Sequence, residues 1–273
     1  MPEITAKLVN DLRAKTGQGM MECKKMLAKV EGDIEKAIEE FRKKGVKTSI
    51  TERATSEGRI FGVRSDDGRS AAIVEINCNT DFTAKSDPVA ALGLAAAKIL
   101  LANPAANVAA DPAIAGKVTE VAQQTGENVH VGQTAHKHND TGKVGLYIYT
   151  VTGKIGVLVS VSGNPSDELL RDLGIHVTAR TPRALALTRE QLPADLVAAE
   201  KQLAVAQAVE SGKPQPIAEK IAEGKMRLFY EDRVLLDQQF INPDKFKGSI
   251  ADMAKAAGVT IKDYVRIEVG QAS

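Results

Sequence analysis

The sequence predicts an α+β protein: an N-terminal bundle of three helices, then a core of two related α+β subdomains from which a helical hairpin projects. Three observations carry this expectation. Residues 1–45 hold three apolar faces at helical spacing. A strand–turn–strand–helix pattern occurs twice between residues 57 and 192. An Ala-rich stretch at 193–224 is helical in pattern with a single break.

The elements follow in order. Ile4, Leu8, Val9 and Leu12 fall on one helical face, before Thr16-Gly17-Gln18-Gly19 breaks the pattern. Met20, Cys23, Leu27 and Val30 make a second inward face, ended by Glu31-Gly32. Asp33 is placed to cap a third helix with Ile34, Ala37, Ile38 and Phe41 inward, and Gly45 to close it. So small a bundle resembles a ubiquitin-associated-type fold. Residues 46–56 are polar and aperiodic and read as a linker.

Residues 57–140 read as the first core subdomain. GRIFGVRS and RSAAIVEIN flank Asp66-Asp67-Gly68, whose Asp-Gly pair supplies the positive φ of a tight hairpin. Asp87-Pro88 reads as the N-cap and first turn of a helix reaching about Leu101, and a second helix follows Asp111-Pro112. A strand near NVHVGQTAH closes the unit. Residues 141–192 and 225–273 form the second subdomain, which is therefore discontinuous. It comprises LYIYTVTGKIGVLVSVS as a strand, turn and strand, then a helix over SDELLRDLGIHVTAR. RLFYEDRVLLDQQFI and DYVRIEVG read as strand-like, with a short helix SIADMAKAAG between them. Residues 193–224, interrupted at Gly212 to Pro216, read as a helical hairpin arm.

Composition narrows the function. Hydrophobic residues make up 43% of 273 and charged residues 26%, so the chain can bury a sizeable core. Lys and Arg number 36 against 35 Asp and Glu, a formal charge of +1, which does not favour a partner made of phosphate backbone. The densest basic run, Arg42-Lys43-Lys44 with Lys47, follows Glu39-Glu40 and reads as a solvated helix end. Cys23 and Cys78 stand far apart, which argues against a disulfide scaffold and fits a reducing cytoplasm. The charged start MPEITAKLVNDLR does not read as a signal peptide. No apolar run is long enough to span a membrane.

Enzyme motifs are absent from the sequence: there is no GxxxxGK[ST] phosphate loop, no G-x-S-x-G elbow and no H-E-x-x-H pair. Direct nucleotide binding is not expected, nor is a cofactor. His130, His136 and His138 have even numbers in one strand pattern, but a turn or bulge between 130 and 136 would break their alignment. Cys78 has only Lys85 as a nearby cation in sequence, so a packed thiol is expected rather than a nucleophile.

Two strings carry more than packing requires. In LRAKTGQGMMECKK, adjacent Met20 and Met21 point about 100° apart on a helix and cannot both face inward. One is expected to be exposed beside Arg13 and Lys24, as an apolar contact ringed by charge. In EINCNTDF, a turn marked by Asn79, Thr80 and Asp81 is expected to present Phe82 outward.

These strings closely resemble the two signatures of the elongation factor Ts family. The likeness continues through GKIGVLVSV, IHVTAR, ESGKP, IAEKIAEGK and RIEVG, nearly the full length. The resemblance implies a non-enzymatic guanine-nucleotide exchange factor for the GTPase elongation factor Tu, and it allows for a homodimer within a heterotetramer. It assigns Thr80, Asp81, Phe82 and Thr83 to dislodging magnesium, with Phe82 as the wedge and Asp81 as its polar neighbour. It assigns Leu12, Arg13, Met20, Met21, Lys24 and Gly126 to partner binding. The chain departs from the usual pattern at Met26 (alanine), Asn79 (glutamine or glutamate), Thr83 (valine) and Thr125 (isoleucine). It also has Tyr149 or Val151 where histidine is common. It stops soon after Gly270, so no additional C-terminal helix is expected. The rival reading is a ribosome- or RNA-binding adaptor that uses the N-terminal bundle.

Overall fold

The computed structural model describes residues 4–16, 18–44 and 53–271. The expected break at Gly17, the helix stop at Gly45, Lys47 and most of the linker 46–56 lie outside the described residues.

The N-terminal helices are α1 (Ala6–Thr16), α2 (Met20–Lys29) and α3 (Ile34–Lys43). Asp33 caps α3, its Oδ1 accepting from the Lys36 N–H at 3.0 Å. Val9, Leu12, Cys23, Met26, Leu27, Ala37 and Phe41 form the bundle core. This corrects the expected inward face of α2: Met20 is 52% exposed, and the methionine in the core is Met26 at 4%. A sulfur-containing, unbranched side chain adapts to such a core position.

The core holds two three-stranded antiparallel sheets. The first comprises β1 (Glu57–Arg64), β2 (Ser70–Cys78) and β3 (His130–His138), in that order. Between β2 and β3 lie the one-turn helix α4 (Asp81–Ala84), α5 (Asp87–Ala102) and α6 (Pro112–Thr125). The N-cap of α5 is Ser86 rather than Asp87, which starts the first turn beside Pro88. The second sheet comprises β4 (Gly142–Ile148), β5 (Ile155–Ser162) and β6 (Thr260–Glu268). The helix α7 (Asp167–Ala179) packs on β4 and β5 as α5 packs on β1 and β2.

The two halves share a packing device. A Cβ added at Gly93 of α5 would lie 2.1 Å from the Phe61 ring of β1, and one at Gly174 of α7 would lie 2.4 Å from Tyr147 of β4. In each half a glycine lets the covering helix sit directly on an aromatic strand residue. The opposite faces of the sheets meet through Ile60, Ala71, Ile73, Val144, Leu158 and Ile267. Each large aliphatic side chain there contributes about 1.5–3 kcal/mol by leaving water.

The arm is formed by α8 (Ala194–Glu210) and α9 (Gln215–Arg233), zipped along Ala204, Ala208, Ala218, Ala222 and Met226. Helix α9 therefore runs nine residues beyond the expected end at 224. It takes up LFYEDR, and a 3-10 turn at Leu235–Asp237 follows, so RLFYEDRVLLDQQFI is not a strand. The apolar residues of the segment read as strand-like pack instead at the base of the arm: Phe229 and Tyr230 meet Ala186, Leu192, Val197 and Val234. The short helix α10 (Ile250–Ala256) precedes β6.

Candidate functional site

Strand β2 ends at a buried cysteine, and the chain turns outward at Asn79 and Thr80. Thr80 is the N-cap of α4, its Oγ1 accepting from the Thr83 N–H at 3.3 Å. The expected loop is therefore one turn of helix. Thr83 and Ala84 point inward and are buried, while Phe82 is 83% exposed. Thr83 anchors the turn, so its side chain is not on the displayed surface. Asp81 accepts from Lys85 Nζ at 2.7 Å, and that bond holds its carboxyl below the usual range.

A second segment, after α6, holds this turn in place. Gly126 caps α6 with φ +69°, its N–H bonded to the Ala122 carbonyl at 2.9 Å. A left-handed cap explains the glycine there, and no atom lies within 4 Å of an added Cβ, so the position is also open to approach. The next residue, Glu127, accepts from the Asn79 and Thr80 N–H groups, both at 3.0 Å, and from Thr80 Oγ1 at 2.6 Å. Asn79 Oδ1 accepts from the Asn128 N–H at 2.8 Å, and Asn79 Nδ2 donates to the Ala54 carbonyl at 2.7 Å. Asn79 is thus paired on both sides of its amide. Arg53 donates to the carbonyls of Gly126 and Thr16, each at 3.2 Å, tying the end of α1 to the same corner.

The result is an open cleft between bundle and core, with Arg13, Arg53, Asn79, Thr80, Gly126 and Glu127 among its lining. Three of the sequence-selected residues, Arg13, Thr80 and Gly126, come together there from distant parts of the chain. Phe82, Met20, Met21 and Lys24 do not line the cleft. Both methionines are exposed, Met21 at 65%, where only one was expected to be. Leu12 is fully buried in the bundle core, so it supports the surface rather than forming it. Residue type and local spacing did not reveal Arg53 or Glu127, nor the partners of Asn79, because these contacts join residues 25 to 75 apart in sequence.

The thiol and histidine alternatives can be judged on geometry. Cys78 is fully buried, and its thiol donates to the Thr80 carbonyl at 3.2 Å. Burial and the neighbouring Glu127 carboxylate push its pKa up to about 11, the reverse of an activated nucleophile. A bulge in β3 opposite Val74–Ile76 puts His130 across from Asn77, while His136 and His138 face Ala72 and Ser70. Partners of opposite parity leave His130 on the other face of the sheet. Among the described residues, no group of three or more His, Cys, Asp or Glu is placed to hold a metal, and no helix is long and apolar enough to cross a membrane.

Fold and site together define a display surface: an exposed ring on a clamped turn beside a polar cleft. Comparison with known proteins places the chain in a family. The family model described as elongation factor TS matches residues 79–271. The chain is 36% identical to elongation factor Ts of Alkalilimnicola ehrlichii, covering 98% of this chain and 92% of that protein. It is 38% identical to elongation factor Ts of a Psychrobacter species, covering 99% and 92%. It is 40% identical to elongation factor Ts of Thiobacillus denitrificans, covering 90% and 85%. The chain belongs to the elongation factor Ts family of translation elongation factors.

Proposed function

We propose that this chain is a guanine-nucleotide exchange factor for elongation factor Tu. It binds the GDP form and promotes GDP release by disturbing magnesium and phosphate contacts, so that GTP can reload. The observation that supports this reading is Phe82: a large apolar ring held 83% exposed on a turn built from buried neighbours. A ring held out in this way is free to be buried by a partner, and aromatic side chains are favoured anchors in such contacts. The working units are the bundle (1–45), the first core subdomain (57–140), the second (141–192 and 225–273) and the arm. No covalent step is involved, and the factor acts in the cytoplasm.

The mechanism is linkage. A GTPase holds GDP through its phosphate loop and a bridging magnesium ion. A partner that prefers the distorted, magnesium-depleted form weakens nucleotide binding by the same factor. Burying Phe82 supplies about 1.5–3 kcal/mol, roughly tenfold to a hundredfold. Further docking energy comes from Arg13, Met20, Met21 and Lys24 on the bundle and from the second subdomain. An RNA-binding role gains no support from the basic run, because Lys43 is paired with Glu39 at 3.1 Å and Glu40 at 3.4 Å. Calorimetry tests the linkage. The chain should bind nucleotide-free Tu more tightly than Tu–GDP, and equal affinities would rule out exchange by this route.

A further inference from the structure

Glu127 stands in the second segment of the site, and no role follows for it from the reading above. We propose that Glu127 is the positioning residue of the exchange turn: by clamping Asn79 and Thr80 it sets where Phe82 stands. The inference rests on the exchange reading for its consequence, and on geometry alone for the clamp.

Helix α4 has four residues, too few to hold itself together in water. Its exposed phenylalanine adds little packing of its own. Beyond the inward Thr83 and Ala84, its orientation depends on polar contacts at its start. Glu127 supplies three, using both carboxylate oxygens: Oε2 takes the Asn79 and Thr80 N–H groups, and Oε1 takes the Thr80 hydroxyl. The third bond has a directional consequence. A hydroxyl has one proton, so when Thr80 gives it to Glu127 only lone pairs face the helix. One of these accepts the Thr83 N–H and caps α4. The carboxylate therefore sets the rotor that caps the helix carrying the wedge.

Among the described residues, no Lys or Arg forms an ion pair with Glu127, so its charge is directed to the turn. Bonds from N–H groups to a carboxylate are about twice as strong as those between neutral groups. Preorganisation matters for a wedge, because a turn that must be ordered on contact forfeits part of its binding energy.

Glu127→Gln keeps the size but removes the charge: with its amide oxygen towards the two N–H groups, its NH2 faces Thr80 Oγ1 and can only donate there, so the Thr80 hydroxyl proton is no longer held away from the helix. Two measurements are needed. Amide hydrogen exchange in the free protein should speed up several-fold to roughly tenfold at Asn79, Thr80 and Thr83, as bonds held by a carboxylate give way to weaker neutral ones. Stopped-flow GDP release from Tu, titrated with each variant, should show a lower maximal rate with a nearly unchanged half-saturating concentration. Glu127→Gln combined with Thr80→Ala should cost less than the sum of the two single changes, because they share the hydroxyl bond while the two backbone N–H bonds belong to Glu127 alone.

Unchanged exchange at the three amides would overturn the clamp. Faster amide exchange with the parental maximal rate would overturn the positioning role. Failure of the exchange reading itself is seen separately, as a parental chain that does not speed GDP release at all. In that event the amide measurement still decides the clamp.

Discussion

Replacing Phe82 by alanine separates a wedge from a core anchor. The ring is 83% exposed, so only about a sixth of the side chain leaves water on folding. Taking about 1.5–3 kcal/mol for full burial, truncation should cost the free protein only about 0.3–0.5 kcal/mol. In a chain of this size that lowers the Tm by no more than about 2 °C. A buried phenylalanine would cost about 3–5 kcal/mol instead, a shift several times larger and easily resolved. Against Tu the ring is expected to be covered, so affinity should fall by at most the ~1.5–3 kcal/mol of its burial. The main defect should lie in GDP release, and it should shrink when magnesium is chelated, because chelation bypasses the step assigned to the ring. Thermal melts beside stopped-flow release of labelled GDP, with and without chelator, read both sides. A large fall in Tm, with normal release by the surviving folded fraction, would make Phe82 structural and refute the reasoning.

Three further expectations follow. Deleting residues 1–45 should weaken Tu binding measured by calorimetry, while the circular dichroism of the core persists, because its apolar clusters are separate from the bundle's. An unchanged affinity would make the bundle an appendage. Replacing residues 203–222 by a short Gly-Ser turn spares the base cluster around Phe229 and Tyr230, so GDP release should persist. Complete loss of release in that folded variant would place the arm in the exchange site. Finally, His176 is fully buried, its Nε2 3.0 Å from Gln238 Oε1 and its Nδ1 accepting from the Ile241 N–H at 3.2 Å. Burial pulls its pKa down to about 4 from an ordinary 6.5. The unfolded chain therefore takes up the proton first. The stabilising contribution is full above pH 6.5 and is lost as pH falls from 6.5 towards 4, to a total of about 3 kcal/mol. Urea melts should show that loss, and it should flatten in His176→Gln; equal pH slopes in both proteins would exclude His176 as the cause.

Patterns local to a few turns were legible in the sequence. The Asp66-Asp67-Gly68 hairpin, the Asp111 cap, the paired hairpin-plus-helix halves and the break between α8 and α9 each depend on neighbours a few residues away. Phe82 was legible for the same reason: the polar residues before it mark a turn, and a turn leaves a large ring little to pack against. What failed was the choice among equally periodic residues. Met20, Met21 and Met26 are all compatible with a helical face, and only the packing of α1 and α3 selects Met26 for the core. LFYEDR has enough aromatic and branched character for a strand, but the base of the arm holds it in α9. Glu127 lay outside reach altogether, because its three bonds cross 47 or 48 residues of chain.

The most direct measurement of the central claim is the rate at which labelled GDP leaves elongation factor Tu, at fixed magnesium, with increasing amounts of this chain. The account predicts a rate that rises with concentration to a plateau far above the spontaneous rate, with the added acceleration shrinking as magnesium is chelated. A release rate that stays at the spontaneous value while the two proteins bind would contradict it.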